Sequence, residues 1–422
     1  MKKEPFVLVI LSVIVFAVWW KALFNFFAQD DFILINHFSQ NSLWQDIKNV
    51  FGPPQVTHWR PLHNFYFLIA GNLFGKNYFL FHLFSLFVHI LASFFIYKVT
   101  TVVNESKKAG IVSAIFYALH PAHFVSLFWI SGGATMIGFL FLITSFYCYL
   151  LGKKTMAIIL YVLSLAASEA MIVGSVIFIM WEFLRKRQHD RVFLFVIGGF
   201  SIIFTFVKLS IFTSKAAFEI YRLEISGRTF DAGKYYLFRI LGLAEVANDR
   251  FVSLILLVWL TIMIALLVKI AFNRQNQQLI LFYVLVVACG LFPFILIPSH
   301  LSPHYMNVSV WGFASLAGIA FLSIKTWQRS LLLFVFAGIA IYNINLIYQN
   351  NWVIKRSNLA KAYLQKIEKD KVRDGSTLVF DDSHLSTSYE AYVTLGAGKA
   401  IDFWFSDRNL RYCFSEFETC PR

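Results

Sequence analysis

Apolar residues run along this chain in long blocks, and the polar residues are gathered into the gaps between them. A helix needs about 20 apolar residues to cross a hydrocarbon core, and its backbone must be satisfied internally there. On that rule the runs 5–24, 78–99, 110–129, 134–151, 155–168, 171–184, 192–212, 251–271, 279–298, 305–324 and 330–348 predict about eleven transmembrane helices. The runs 155–168 and 171–184 are short, which predicts tilted or paired helices. Met1-Lys2-Lys3 before the first run has the charge of a signal peptide, but the run is long and no small-x-small pattern follows, so it reads as a retained first span. After Tyr348 the pattern changes. Residues 350–422 are polar, with an amphipathic helix at about 356–371 and strand-like runs at Thr377–Phe380 and Ala391–Leu395. The expected fold class is an all-α polytopic membrane protein: a transmembrane domain over 1–349 and a small extracytoplasmic α/β appendage over 350–422.

Composition agrees with the pattern. Of 422 residues, 58% are hydrophobic and only 14% charged, against roughly 25% charged in a soluble domain; mean hydropathy is +0.65. The net charge of +14 does not point to nucleic acid, because most basic residues sit in short loops between apolar runs, where membrane topology accounts for them. With the N-terminus in the cytoplasm, the cytoplasmic loops hold Lys107-Lys108, Lys153-Lys154, Arg185-Lys186-Arg187 with Arg191, Arg274, and Lys325 with Arg329. The opposite short loops, around 130–134, 168–170 and 299–304, contain no Lys or Arg. An odd span count then puts the C-terminus outside. Four cysteines are too few for a disulfide scaffold. Cys148 and Cys289 lie in apolar runs, whereas Cys413 and Cys420 lie in the polar tail and could pair in an oxidising compartment.

Two outer loops are long. The first, about 28–77, opens with Asp30-Asp31 and contains Trp44, Gly52-Pro53-Pro54 and Trp59, with Leu62–Leu73 a candidate interfacial helix. The second, about 213–250, carries Lys215, Arg222, Arg228, Lys234, Arg239 and Arg250 against the positive-inside trend, which suits contact with a lipid phosphate or with anionic headgroups. Asp30 and Asp31 either cap a helix or form a site; a like-charged neighbour and partial desolvation would raise a carboxyl pKa and make a general base. Other polar residues fall on the same outer side: Arg60 before Pro61, His120-Pro121-Ala122-His123, Glu169, His300, His304 and Tyr305. Each has a structural alternative, such as a loop-carbonyl bond for His120 and His123 or a turn anchor for Glu169. His82 and His89 are seven apart and read as helix-packing residues.

The runs Asp30-Asp31 with Asn36, Trp59-Arg60-Pro61-Leu62, and Leu73-Phe74-Gly75-Lys76-Asn77 with Phe81-His82-Leu83 and His89 carry a resemblance. Together they resemble the N-terminal third of GT-C membrane glycosyltransferases, most closely the protein O-mannosyltransferase-like branch that includes the tetratricopeptide-repeat transmembrane proteins. His120-Pro121-Ala122-His123 resembles that branch's His-Pro-x-His element, and Ser168-Glu169 its Ser-Lys-Glu turn without the Lys. Pro303-His304-Tyr305 stands where an Arg-Tyr pair is usual. Val125 and Gly132-Gly133 depart from an acidic residue and a Gly-Arg, and no tetratricopeptide repeat occurs in 350–422. The resemblance covers about 1–185 well and 280–325 loosely.

The resemblance implies an inverting transfer of a sugar from a polyprenyl-phosphate donor to an acceptor glycan, lipid or protein at the outer face of a cytoplasmic membrane. It implies Asp30 or Asp31 as base, with Asp30 preferred and Asp31 positioning the acceptor or an ion. Arg222, Arg228, Arg239 and His304 are candidates for the departing phosphate, and Arg60 for the phosphate or for bracing the acidic pair. Whether Asp30 and Asp31 hold a divalent cation, magnesium or manganese, stays open; no organic cofactor is expected. The alternatives are a polyprenyl-linked oligosaccharide ligase or polymerase, a lipid or sugar flippase, and a non-catalytic membrane subunit. A transporter would show internal repeats and helices broken at the midplane, whereas here the polar residues gather at one face.

Overall fold

The computed structural model describes residues 4–52, 59–184, 190–213, 222–244, 249–272, 274–383 and 385–421. Lys2-Lys3, Pro53-Pro54, Arg185-Lys186-Arg187 and Lys215 lie outside the described residues.

Each predicted apolar run falls on helix. Among the described residues, seven helices are long and apolar enough to cross a membrane: Glu4–Phe24, Tyr78–Val103, Ser131–Leu150, Arg250–Ile270, Asn276–Ile295, Pro303–Ser323 and Thr326–Asn350. Lys107–Leu119 with Pro121–Phe128 passes as a pair bent by 48°, broken where Pro121 removes a donor and cannot continue the ladder. Among the described residues the count by length and composition is thus seven or eight, beside the eleven or so that the apolar runs predict. Lys154–Ala167 has 14 residues and Val173–Leu184 has 12; at 1.5 Å per residue these reach only about 21 and 18 Å, short of a hydrocarbon core.

Asn307–Ala320 is the central helix, buried along its whole length. Its small residues allow this. A Cβ on Gly312 would lie 2.8 Å from the Tyr283 carbonyl oxygen, and one on Gly318 would lie 2.7 Å from that of Ala109. Small side chains that let backbones approach are how helices pack where lipid supplies no hydrophobic drive. Thr100 and Ser315 add a hydroxyl contact of 3.2 Å between helices. By contrast Arg250–Ile270 buries only Leu256, Trp259 and Met263, so it lies at the periphery.

The first long loop is ordered into helices Asp30–Ser39, Leu43–Phe51 and Pro61–Phe74. Pro61 at the first position of the last of these costs no hydrogen bond, and Gly75, with φ of 52°, ends it. The C-terminal segment begins with helix Trp352–Lys369, close to the amphipathic helix expected. It continues through β1 (Thr377–Phe380), two short helices and β2 (Arg411–Phe414), which pairs parallel with β1. The strand expected at Ala391–Leu395 is instead helix Ser388–Thr394. Thr387 caps it by accepting from the Glu390 amide, and its buried residues Ser388, Ala391 and Thr394 recur every third position, which is a helical and not a strand spacing. Cys413 and Cys420 form a disulfide.

This segment shares an apolar core with the first loop. Phe26 packs on Trp404 at 5.1 Å between centroids, Phe27 on Phe403 at 5.9 Å, and Phe32, Phe67, Tyr363 and Leu364 join the same cluster. The Asp30 region is thus held between the membrane helices and the chain's C-terminal end.

Candidate active site

A cavity of about 550 Å³ lies where four parts of the chain meet: the start of helix Asp30–Ser39, residues 60–64, the segment 129–135 with the turn 300–305, and the start of helix Trp352–Lys369. Asp30, Arg60, His300, His304 and Tyr305 line it, as do Trp129, Trp352 and Arg356.

The two acids are placed differently. Asp30 is half-buried and faces the cavity. Asp31 is 1% exposed; its Oδ2 accepts from the Ala28 amide at 3.0 Å and its Oδ1 from the Ser131 amide at 2.8 Å. Asp31 thereby pins the loop to the 131–133 turn. Burial pushes the Asp31 carboxyl up to about 7, against the two amide donors, while the neighbouring Asp30 charge adds to the rise. Burial also raises the Asp30 carboxyl, whereas a hydrogen bond from Gln29 and the charges of Arg60 and Arg356 hold it down. Gln29, which precedes the helix, has φ of 55° and ψ of −115°, a conformation side-chain-bearing residues rarely adopt.

This arrangement tests the metal expectation. One carboxylate faces the cavity, and the other spends both oxygens on backbone amides. Among the described residues no group of three His, Cys, Asp or Glu side chains converges. The acidic pair thus offers a divalent ion one cavity-facing carboxylate, which does not fit an ion held by both acids.

Arg60 forms a two-pronged ion pair with Glu169, Nε to Oε2 at 2.7 Å and Nη2 to Oε1 at 2.8 Å. Such fork-to-fork geometry fixes both position and plane. Glu169 stands behind the cavity wall, on the turn that follows Ser168, and holds the arginine that lines it. His304 is fixed through Ser302 Oγ, 2.6 Å from its Nδ1, and through its carbonyl, which accepts from Thr135 Oγ1 at 2.7 Å and Asn307 Nδ2 at 3.0 Å. Tyr305 stacks on Phe294 at 4.4 Å. Burial and the Arg60 charge lower the His300 pKa, so His300 is a neutral hydrogen-bonding group near pH 7.

The structure does not bring His120, His123, Arg222, Arg228 or Arg239 to the cavity wall. His120 is fully buried, and its Nε2 meets the Ile240 carbonyl at 3.0 Å, which ties a helix end to the Pro121 turn. His123 is buried among the rings of His89 and Tyr117. Arg222 is exposed. Arg228 is also exposed, and its Nη2 donates to Ser299 Oγ at 2.9 Å beside the His300 turn. Arg239 packs over Tyr235 and lines a separate small crevice with Pro303 and Asn351. His82 and His89 meet the carbonyls of Leu127 and Ala118 at 2.9 and 3.1 Å, as interhelical packing residues do.

Sequence reasoning missed Arg356, Trp352 and Trp129. The first two stand one helical turn apart at the point where the chain leaves its last apolar run. That junction was legible, but which face of the amphipathic helix would turn toward Asp30 was not.

No protein-family model and no curated protein sequence matches the chain. Among solved structures, the apo form of the Archaeoglobus fulgidus oligosaccharyltransferase is 12% identical with a TM-score of 0.51, covering 93% of this chain and 64% of that one. The archaeal oligosaccharyltransferase AglB from Archaeoglobus fulgidus, in complex with an inhibitory peptide and a dolichol-phosphate, is 12% identical with a TM-score of 0.51, covering 96% and 64%. The same enzyme tethered to an acceptor peptide containing an NVT sequon is 13% identical with a TM-score of 0.53, covering 93% and 63%. The chain therefore spans less than two thirds of the length of each. At such identities the likeness shows the fold alone: a mostly helical, multi-pass membrane chain arranged as in these solved oligosaccharyltransferase structures.

Proposed function

We propose that this protein is an inverting glycosyltransferase of the O-mannosyltransferase-like type, which moves a hexosyl or pentosyl group from a polyprenyl-phosphate donor to an acceptor hydroxyl. One observation carries the reading: of the acidic pair, Asp30 alone lines the cavity, half-buried, and shares that lining with Arg60 and His304. The acceptor hydroxyl gives its proton to Asp30 as its oxygen attacks the anomeric carbon. The bond from that carbon to the phosphate oxygen breaks, and its electron pair leaves with the lipid phosphate. Phosphate needs no acid to depart, so a single base suffices. Attack opposite the phosphate inverts the anomeric centre. Burial raises the Asp30 carboxyl and strengthens it as a base, and the Arg60 and Arg356 charges oppose that rise in favour of the carboxylate. Arg60, aimed by Glu169, and His304 stabilise the charge that develops on the phosphate.

The site belongs, on this reading, to the extracytoplasmic side, with the N-terminus in the cytoplasm. Lys and Arg placement supports it, and so does the Cys413–Cys420 disulfide, a bond that persists in oxidising compartments. The solved oligosaccharyltransferase bound to a dolichol-phosphate supports a polyprenyl-linked donor. The same likeness favours, as a second reading, transfer of a whole polyprenyl-linked oligosaccharide.

The test uses the full chain in bilayer vesicles with radiolabelled polyprenyl-phosphate hexoses, polyprenyl-pyrophosphate oligosaccharides, and acceptors supplied as extracts of membrane glycolipid and protein. Asp30→Asn should lower transfer by at least about 10²-fold while the melting temperature holds. Transfer by Asp30→Asn at the wild-type rate would remove the base role. Turnover of only the pyrophosphate donors would select the second reading.

A further inference from the structure

We infer that Arg356 is a positioning residue for Asp30, and that the C-terminal segment is therefore a working wall of the site. The guanidinium of Arg356 is clamped from two sides. Its Nε donates to Glu390 Oε1 at 2.9 Å, and its Nη1 donates to Gln29 Oε1 at 2.8 Å. Its face lies over the Trp352 ring at 5.3 Å. Arginine suits this work because its donors form a rigid fork, so that fixing one edge aims the other.

What Arg356 holds is the residue that sets the direction of Asp30. Gln29 carries the left-handed backbone described above, which persists only where surroundings impose it. The C-terminal segment does so at several points. The Gln29 amide donates to the Thr394 carbonyl at 3.0 Å. Gly396 sits so close that a Cβ there would lie 2.7 Å from the Gln29 carbonyl oxygen. On the flanks, the Phe26 amide donates to Ser357 Oγ at 2.8 Å and Asn36 Nδ2 to the Lys399 carbonyl at 2.7 Å. The Gln29 side chain, held through its oxygen by Arg356, adjoins the Asp30 carboxylate and favours its ionised form. A relay thus runs from Glu390 through Arg356 and Gln29 to Asp30, every member but the last two supplied by the C-terminal segment.

Several charged or titratable groups surround Asp30: Asp31 on its own helix, Arg60 and His63 from the 60–64 segment, His300 and His304 from the turn, and Arg356. Glu169 neutralises Arg60 in part, as Glu390 does Arg356. Removing the Arg356 charge should therefore make Asp30 harder to ionise, and removing its fork should let Gln29 turn.

The consequence for rate rests on Asp30 being the base; the effect on Asp30 itself does not. The decisive measurement therefore needs no substrate. In the full chain in bilayers, pH-difference infrared spectroscopy follows the carboxyl stretch of Asp30, identified by its loss in Asp30→Asn. Arg356→Gln should move the midpoint up by about half a unit to one unit. Arg356→Lys, which keeps the charge but not the fork, should leave the midpoint near wild type and lower turnover about tenfold through lost aim. An unmoved midpoint in a folded Arg356→Gln protein overturns the inference. If Arg356→Gln does not fold, Arg356→Lys decides, and wild-type turnover in it overturns the inference. Asp30→Asn that still transfers sugar would instead sink the proposed mechanism and leave the infrared result standing.

Discussion

In the cavity, Arg60 and Arg356 are each held by a carboxylate from a distant part of the chain, Glu169 at 2.7 Å and Glu390 at 2.9 Å. On and beside helix Gly227–Ile240, Arg228 and Lys234 pair instead with Glu224 and Asp231, three or four residues away, at 3.3 and 3.5 Å and in the open. Local exposed pairs are what a solvated helix surface offers, and each contributes a few tenths of a kcal/mol. Long-range pairs are different. They require two chain segments to be brought together and both charges to be partly stripped of water, a cost that is recovered only by good geometry. Cation density along the sequence is higher in the second loop, yet the cations that were desolvated and aimed are the sparse ones around Asp30. Placement, not abundance, marks the site.

The contrast should appear first as a difference in rate. Asp30→Asn should lower transfer by about 10²- to 10⁴-fold, the usual contribution of a general base, with little change in melting temperature. Glu169→Gln should come next. It keeps the side chain's shape but leaves Arg60, 15% exposed at its side chain, without its carboxylate. Turnover should fall about tenfold and stability by roughly 1–2 kcal/mol, the pair being only partly shielded. Thermal melts and single-turnover transfer measure the two separately. A Glu169→Gln protein with full turnover would put Arg60 among the structural cations.

How much of this was legible in the sequence follows from the same physics. Burial of whole runs is written in composition, so every helix-bearing apolar run could be found. Crossing is a matter of length, and residues 154–167 and 173–184 form helices too short to cross alone, at the two runs whose shortness the pattern itself marked. Asp30, Arg60, His304 and Tyr305 could be gathered by sidedness alone, since residues at one membrane face share a small area. His120 and His123 obey the same sidedness, yet they are buried between helices; sidedness fixes depth and leaves the angle around a helix undetermined. Arg356 is 326 positions from Asp30 in sequence, and the two segments meet through tertiary contacts, the aromatic core of Phe26, Phe27, Phe403 and Trp404 among them, that no local pattern announces.

Within the cavity region the two acids offer a sharper comparison. Asp31 in the folded protein binds its proton more tightly than in the unfolded chain, since burial lifts its carboxyl from 3.8 to about 7. Its contribution to stability is thus fully present below the unfolded value and is lost as pH rises toward 7. Asp31→Asn removes that titration, so its stability deficit relative to wild type should be largest near pH 4 and should shrink by pH 7. Denaturant or thermal melts of both proteins across that range give the sign. A deficit that grows with pH would mean that Asp31 is ionised in the fold, and that its hydrogen bonds to Ala28 and Ser131 outweigh its burial.

The smallest effects should lie in the second loop. Arg222 is exposed and does not line the cavity, so Arg222→Gln should leave turnover unchanged. Any rise in the donor KM should stay within about twofold and vanish at high salt, because exposed charges are screened beyond about 10 Å. Arg228 is also exposed, but its guanidinium reaches Ser299 beside His300, and the Glu224 amide next to it donates to the Leu296 carbonyl at 2.9 Å. Arg228→Gln therefore loosens a turn that carries one cavity wall, and part of its effect should persist in salt. Donor KM at low and high ionic strength separates the two variants. If Arg222→Gln instead costs as much turnover as Glu169→Gln, at any salt concentration, the second loop folds over the bound donor. Donor binding would then redraw the division between aimed and solvated cations.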